Sequence, residues 1–184
     1  MNLSIIVNQI FSILTIIAQL ASIALLVFLF TKKPAWMSVI SKRAFMLAFL
    51  VALVATLGSL TYSEILRYDP CKLCWLQRIF MYPQVILLGM ALWKKDYKIA
   101  DYSLALSIIG GLIALYHYLL QLGIAPSIPC SAVGYSTACS KQFVLEYGYI
   151  TIPMMALSAF IIIALLLFLH KIYNRSNESS AKSY

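Results

Sequence analysis

The residues with the clearest chemistry are four cysteines, Cys71, Cys74, Cys130 and Cys139. The first two form a CxxC pair placed directly before an apolar segment long enough to be a helix. A helix N-terminus carries partial positive charge, which stabilises a thiolate over a thiol. Arg78 follows Cys74 by four residues, so it would lie one turn further along the same helix face. These features predict a reactive thiolate at Cys74.

Other uses of four cysteines stay open from their spacing alone. Two structural disulfides could brace a membrane scaffold that has no enzymatic activity. Zinc could bind a CxxC pair together with a second pair, but the eight residues between Cys130 and Cys139 exceed the usual spacing. Haem attachment is excluded because Trp75 stands where a CxxCH motif requires histidine. We therefore predict no metal ligands.

The elements that position these residues are predicted to be transmembrane helices. The chain is 62% apolar and only 11% charged, whereas soluble domains are roughly half apolar and a quarter charged. Apolar runs of about 20 residues are long enough to span a bilayer, and backbone groups in lipid must be satisfied within the segment. Five runs meet this length: Ile5–Phe30, Ala44–Leu66, Trp75–Trp93, Tyr102–Leu122 and Tyr149–His170.

The predicted fold is an all-α membrane protein with a four-helix transmembrane bundle and one additional N-terminal transmembrane helix. The additional helix and a basic loop occupy residues 1–43, and the bundle occupies residues 44–170. The first run lacks a basic n-region and is too long for the apolar part of a signal peptide, so we expect it to be retained. Residues 171–184 are polar and Ser-rich, which predicts a disordered tail.

The distribution of basic residues predicts the orientation in the membrane. Ten of the 14 Lys and Arg residues lie in the first and third connections and the tail: Lys32, Lys33, Lys42, Arg43, Lys94, Lys95, Lys98, Lys171, Arg175 and Lys182. The other side has Arg67, Lys72, Arg78 and Lys141. The positive-inside rule then places the N-terminus and both cysteine loops outside the cytoplasm. The net charge of +8 reflects this topology, and we expect no nucleic-acid binding because no basic stripe alternates with aromatic residues.

Two ionisable residues lie within apolar runs, close to the cysteine loops. Arg78 is costly in hydrocarbon, about 2.5–3.5 kcal/mol at a helix centre. It either snorkels outward or stabilises an anion, namely the Cys74 thiolate or an oxygen of a reduced quinone. Arg78 and His117 lie about 5 Å and about 8 Å from the ends of their helices. This similar depth makes His117 a candidate proton donor or quinone ligand, with simple packing as the alternative.

The segment Pro70–Arg78, which reads PCKLCWLQR and runs on to Met81-Tyr82-Pro83, resembles the signature of the DsbB family, in particular its BdbC-like branch. The segment Tyr116–Gln121 resembles the family's fourth-helix motif, and Pro129–Cys139 resembles its second cysteine pair. The resemblance covers roughly residues 45–168. It implies a four-helix bundle in a bacterial cytoplasmic membrane that reoxidises a DsbA-like thioredoxin-fold partner and reduces ubiquinone or menaquinone.

The resemblance also implies roles for individual residues. Cys130 and Cys139 would form the disulfide that faces the partner, with Cys130 as the point of attack. Cys71 and Cys74 would form the quinone-coupled pair, with Cys74 nearest the ring. The residues that would line the quinone site are Arg78 and His117.

Some features depart from this family or fit a rival one. The first helix is additional to the four helices of the family and has no assigned role, and Gln77 stands where some relatives have an acidic residue. The vitamin K epoxide reductase-like family also combines a helical bundle, a CxxC pair and loop cysteines. In that family the loop pair precedes the CxxC pair, whereas here Cys71 and Cys74 come first.

Overall fold

The computed structural model describes residues 3–30, 36–125 and 139–181. These residues form five α-helices: α1 Leu3–Phe30, α2 Trp36–Leu60, α3 Lys72–Lys94, α4 Ala100–Gln121 and α5 Ile152–Ala181. A π-helical turn, Thr61–Ile65, extends α2, and a 3-10 turn, Tyr97–Ile99, leads into α4. All five segments are long and apolar enough to cross a membrane. The predicted all-α membrane fold is confirmed.

The centre of the bundle is α5, which packs against α1, α2 and α4. The helix α3 packs between α2 and α4 and has little contact with α5. Large apolar side chains such as Ile86 on α3 and Leu112 on α4 point away from these contacts and are exposed. An apolar outer surface of this kind is suited to lipid, where the helices satisfy their own backbone groups.

Small residues allow the helices to approach one another closely. On α2, Ala44, Ala48 and Ala52 recur every fourth position and are completely buried. On α4, Gly110 faces the ring of Phe160 from α5, so closely that a Cβ atom at this position would overlap the ring. Such small-residue contacts are a main source of helix association in membranes, where the hydrophobic effect is weak.

A buried polar cluster joins α3 to α4. The Gln84 side chain is fully buried, and its Oε1 atom accepts hydrogen bonds from Ser103 Oγ at 2.8 Å and Ser107 Oγ at 3.0 Å. Its amide nitrogen donates to the Phe80 carbonyl at 3.1 Å. Satisfied polar groups of this kind fix one helix register against another.

Two boundaries differ from the sequence-based expectations. The helix α2 begins at Trp36, so the expected division between residues 43 and 44 falls inside a helix. At the other end, α5 continues to Ala181, where a disordered tail was expected. The apolar run sets the part that can lie in hydrocarbon, but helix hydrogen bonds continue past it until a residue such as Gly or Pro ends them. Neither residue occurs between Tyr173 and Ala181.

The contact between α4 and α5 gives a test of the packing. Gly110→Ala would place a methyl group against the buried Phe160 ring, so we expect destabilisation by about 1–3 kcal/mol from overpacking. Gly111→Ala is the matched control, because its Cβ would meet Phe160 Cβ at an ordinary 3.5 Å. Thermal unfolding in detergent should show a lower Tm for Gly110→Ala alone, and equal Tm values for both variants would contradict this packing.

Candidate active site

The CxxC pair lies where α3 begins. Cys71 is the N-cap residue, with extended backbone angles of φ −71° and ψ 172°, and its carbonyl accepts the Trp75 N–H at 3.1 Å. Cys74 lies in the first turn, on the face that returns towards the cap. The two sulfurs are 3.3 Å apart, and both residues are free thiols. The local geometry therefore presents a dithiol in contact.

His117 from α4 lies against the Cys71 side of this dithiol and is 1% exposed. Its Nε2 atom is 3.6 Å from Cys71 Sγ and 3.0 Å from the Cys139 carbonyl oxygen. The amide nitrogen of Gln77 donates to Nδ1 at 2.9 Å. In a neutral imidazole one nitrogen accepts and the other donates, so this contact places the proton on Nε2. His117 thus directs an N–H group towards both the carbonyl and the Cys71 sulfur.

The surroundings of Cys71 favour its thiolate. The hydrogen bond shared with Cys74 lowers the pKa of the Cys71 thiol well below its ordinary value, burial opposes the change, and the hydrogen bond from His117 reinforces it. The thiolate of the pair is therefore favoured on the sulfur that faces His117. The sequence-based expectation placed it on Cys74 beside Arg78.

The segment after Cys139 is held against the end of α4. Gln121 Nε2 donates to the Lys141 carbonyl at 3.2 Å, and Gln142 Nε2 donates to the Gln121 carbonyl at 2.9 Å. Cys139 is buried in a cluster with Cys71 and Leu120 and is disulfide-bonded. These contacts place a residue of the second cysteine pair directly beside the first pair. Cys130 lies outside the described residues.

A cavity of about 350 Å³ lies on the opposite side of the dithiol. Cys74, Gln77 and Arg78 contribute to its wall, but neither Cys71 nor His117 is among the described residues that line it. Most of the remaining wall is apolar and comes from α1, α2 and α5. Along α2 it extends from Leu50 to Ser59, about 13 Å.

Arg78 is held at the edge of this cavity by Ser59 of α2. Its Nε atom donates to Ser59 Oγ and its Nη2 atom to the Ser59 carbonyl, each at 3.0 Å. Tyr82 also donates to Ser59 Oγ, at 3.2 Å, and the guanidinium carbon lies 5.2 Å from the centre of the Trp75 ring. Arg78 is therefore anchored on Ser59 and beside Cys74, with its charge on the cavity side.

Four aromatic side chains cross the cysteine end of the cavity. Phe11 and Tyr62 have ring centres 5.7 Å apart, Tyr62 and Tyr68 stack at 6.0 Å, and Tyr68 stacks on Phe143 at 4.9 Å. Phe143 follows Cys139 by four residues, so this aromatic row ties the second cysteine segment to α2 and α1. All four rings line the cavity.

The same sulfur and nitrogen atoms have the spacing of a possible metal site. Single ligand atoms of Cys71, Cys74 and His117 all lie within 4.8 Å of one another. However, both imidazole nitrogens are engaged, one by Gln77 and the other with the Cys139 carbonyl. A zinc site of all four cysteines is also incompatible with the disulfide at Cys139.

The structure thus divides the residues predicted from sequence between two faces of the dithiol. Cys71, His117 and Cys139 meet on one face, and Cys74 and Arg78 meet on the cavity face. His117 and Arg78 were expected to share one site because their depths are similar, but depth along a helix does not specify which face a residue occupies. Sequence reasoning missed Ser59, because a serine in an apolar run has no distinctive signal. It noted Gln77 without a role.

Comparison with known proteins identifies the family of this chain. The family model for disulfide bond formation protein DsbB matches residues 41–170. The chain belongs to the DsbB family. The match begins after α1, which is therefore additional to the region that defines the family.

Similar proteins from Bacillus species are named as disulfide formation proteins. The chain is 48% identical over 126 residues to the probable disulfide formation protein C of Bacillus cereus strain ATCC 14579. The aligned region covers 68% of this chain and 90% of the relative. It is 44% identical over 126 residues to the disulfide bond formation protein C of Bacillus subtilis strain 168, covering 67% and 89%. No solved structure matches the chain.

The role of His117 in lowering the thiol pKa can be tested by titration. In a Cys130→Ser/Cys139→Ser background only the CxxC pair titrates, and the backbone carbonyl at position 139 is retained. We expect His117→Ala to raise the apparent pKa of thiolate formation by about one unit, because the hydrogen bond from the imidazole to the Cys71 sulfur is lost. The ultraviolet absorbance of the thiolate, followed against pH, measures this shift.

His170→Ala is the matched control for this titration. His170 is also buried, but its Nδ1 atom contacts the Ser41 carbonyl at 2.9 Å, near the start of α2 and remote from the cysteines. Its replacement should leave the thiolate midpoint unchanged. An unchanged midpoint in His117→Ala as well would show that the imidazole does not act on the thiolate.

Proposed function

We propose that this protein is a membrane thiol oxidase that takes electrons from a DsbA-like thioredoxin-fold partner and passes them to a membrane quinone. One observation carries the proposal: the dithiol has two faces. Cys71 contacts the segment of the second cysteine pair, whereas Cys74 lines an apolar cavity with a cationic edge. Membership of a family of disulfide formation proteins supports the oxidoreductase chemistry.

The cavity has the properties that a quinone requires. Its volume of about 350 Å³ is at the lower end of the roughly 300–1,000 Å³ typical of small-molecule sites. Its wall is largely apolar, and Arg78, Tyr82 and Ser59 supply the polar groups at the edge. Ser59 accepts two of the five N–H donors of the guanidinium. Donors therefore remain for a quinone oxygen, and Arg78 and Cys74 would hold the ring.

The protein's own residues perform thiol–disulfide exchange in two stages. A thiolate of the partner attacks the proposed Cys130–Cys139 disulfide at Cys130, and a second partner thiolate resolves the mixed disulfide, so the partner is oxidised and Cys130 and Cys139 become thiols. These thiols then reduce the Cys71–Cys74 disulfide in the same way and re-form their own bond. Each stage moves two electrons and forms one disulfide for each one broken.

After these stages Cys71 and Cys74 are thiols and Cys139 is again disulfide-bonded, which is the combination present in the structure. The quinone would supply the two-electron, two-proton acceptor that returns Cys71 and Cys74 to a disulfide. The His117 N–H group stabilises the sulfur of Cys71 as thiolate while Cys74 remains beside the cavity. Arg78 provides a fixed positive charge where negative charge would develop.

The energetics of the partner favour a lipid-soluble acceptor. Strongly oxidising thioredoxin-fold proteins have potentials of about −120 mV, and each 30 mV in a two-electron couple corresponds to about 1.4 kcal/mol. Structural protein disulfides lie far below this potential, so an acceptor of higher potential is needed. The proposed topology places the cysteine end outside the cytoplasm, where substrates for disulfide formation are found. The distribution of basic residues supports this topology.

The alternatives fit the molecule less well. A scaffold with two structural disulfides would leave neither Cys71 nor Cys74 as a free thiol, whereas both are free. A vitamin K epoxide reductase-like assignment would need the loop cysteines to precede the CxxC pair, and the family match is to DsbB.

Replacement of Cys74 tests the central step. We expect Cys74→Ser to abolish quinone reduction by the purified protein when a reduced thioredoxin-fold partner is supplied, because the CxxC disulfide can no longer form. Consumption of the quinone is followed by its absorbance. The same variant should still form a mixed disulfide with the partner, which is detected on non-reducing gels. Full turnover by Cys74→Ser would refute the proposed route.

Arg78 should act on the quinone and leave the reaction with the partner largely unaffected. Loss of a charge-assisted hydrogen bond of about 1.5–3 kcal/mol predicts that Arg78→Ala raises KM for the quinone by about tenfold to a hundredfold. The KM for the partner should change less than about twofold on the same reasoning. Arg43→Ala, at an exposed position of α2 near the opposite end, is the control. Equal KM values for quinone in both variants would remove Arg78 from the site.

A further inference from the structure

The helix α1 lies outside the region matched by the DsbB family model, yet it forms part of the cavity wall. Six of its residues line the cavity: Phe11, Leu14, Thr15, Ile17, Ala18 and Ala21. Apart from Ile17 they recur at intervals of three or four, so they share one helix face. The opposite face, with Ile13, Leu20 and Ile23, is exposed. The helix α1 thus stands between the cavity and the surrounding lipid.

Polar contacts hold α1 at this position. Gln19 Nε2 donates to Ser158 Oγ of α5 at 3.1 Å, and Tyr149 Oη donates to Gln19 Oε1 at 3.0 Å. A polar side chain bonded in this way within a membrane fixes the rotation and depth of its helix. The lining face of α1 is therefore held in place by side chains that α5 and the segment before it provide.

The helix α2 is shaped to receive α1 beside the cavity. A Cβ atom at Gly58 would lie only 2.6 Å from Phe11 Cε1, so glycine is what allows the Phe11 ring to enter. Phe11 then lies against Tyr62, at the end of the cavity where Arg78 and Cys74 are found. Ala18 and Ala21 lie further along the wall and leave space, because their side chains are small.

From these contacts we propose that α1 is a specificity-determining wall of the acceptor site, selecting among quinones by the apolar part of the molecule. This inference depends on the proposed quinone reduction. It assigns a role to α1, the helix that lies outside the region matched by the family model. The polar groups proposed to face the quinone oxygens, those of Arg78, Tyr82 and Ser59, come from α2 and α3. The helix α1 contributes apolar surface and the Thr15 hydroxyl, which already donates to the Phe11 carbonyl at 2.7 Å. The helix α1 therefore recognises hydrocarbon and leaves the quinone oxygens to Arg78.

Paired substitutions on the two faces of α1 test this inference. Ala18→Phe fills the cavity, and Leu20→Phe places the same side chain on the lipid-facing side of α1, where Leu20 is 62% exposed. Quinone binding to the oxidised full-length protein is measured by quenching of tryptophan fluorescence, with a benzoquinone and a naphthoquinone that carry identical decyl tails. We expect Ala18→Phe to raise both dissociation constants by about tenfold or more, and Leu20→Phe to leave them within about twofold of the wild type.

A cavity-enlarging variant keeps the test decisive if Ala18→Phe does not fold. Phe11→Ala should favour the larger naphthoquinone, changing the ratio of the two dissociation constants by about fivefold. Reduction of the protein's disulfides by dithiothreitol, followed by thiol labelling, should proceed at the wild-type rate in Ala18→Phe and Leu20→Phe. If Phe11→Ala leaves the ratio unchanged, or if Ala18→Phe behaves like Leu20→Phe, α1 is not a specificity wall.

The wild-type measurements separate this inference from the proposed function. If the wild-type protein neither binds nor reduces either quinone with dithiothreitol as the electron donor, quinone reduction itself is refuted. If the wild type binds and reduces quinone while all α1 variants match it, only the role of α1 is refuted.

Discussion

The contact between two sulfur atoms at the start of α3 constrains the rest of the molecule, because the electron relay that we propose needs one sulfur beside the second cysteine pair and the other beside the cavity. Cys71 at the cap and Cys74 one turn later are 3.3 Å apart, yet they belong to different surroundings. One sulfur is covered by His117 and the Cys139 segment, and the other lines the cavity. A helix N-terminus produces this division naturally, since the chain turns from an extended cap into a helix between the two residues.

The buried imidazole beside the dithiol is compatible with a membrane because both of its ring nitrogens have hydrogen-bond partners. Gln77 donates to His117, and the remaining ring nitrogen meets the Cys139 carbonyl. An unpaired imidazole at this depth would cost as much as any buried polar group without a hydrogen bond. Gln77 also lines the cavity while it holds the imidazole, so one side chain of α3 touches both faces of the site. A carboxylate at the same position would bring a negative charge between His117 and the cavity, whereas the amide orients the ring without one.

The sequence specified the helices more fully than the site. Long apolar runs with few charges are stable as membrane helices. The predicted ends of the five spans therefore differ from the observed helix ends by only a few residues in most cases. The CxxC pair at a helix start was equally evident, because cysteine spacing and helix position are both local. The relation of His117 to Arg78 was not predictable, since it depends on how α3 and α4 are rotated about their axes. The anchoring of Arg78 by Ser59 depends on the packing of α2 against α3, which leaves no trace in either sequence segment.

The position of α1 follows from the same packing constraints. A dithiol that delivers electrons into a lipid phase needs a cavity that admits a lipid-soluble molecule while its polar edge remains aligned with Cys74. The helices α2, α3 and α5 supply that edge and two apolar sides, and α1 adds the side that would otherwise face lipid. Packing of α1 along this side is more favourable than packing of lipid chains. The fixed side chains of a helix make closer dispersion contacts with the cavity wall than mobile lipid chains do. The glycine at position 58 and the alanines at positions 18 and 21 then set how much of that space remains. In the proposed reaction, access of the acceptor is thus a property of helix packing, whereas the chemistry depends on the cysteines.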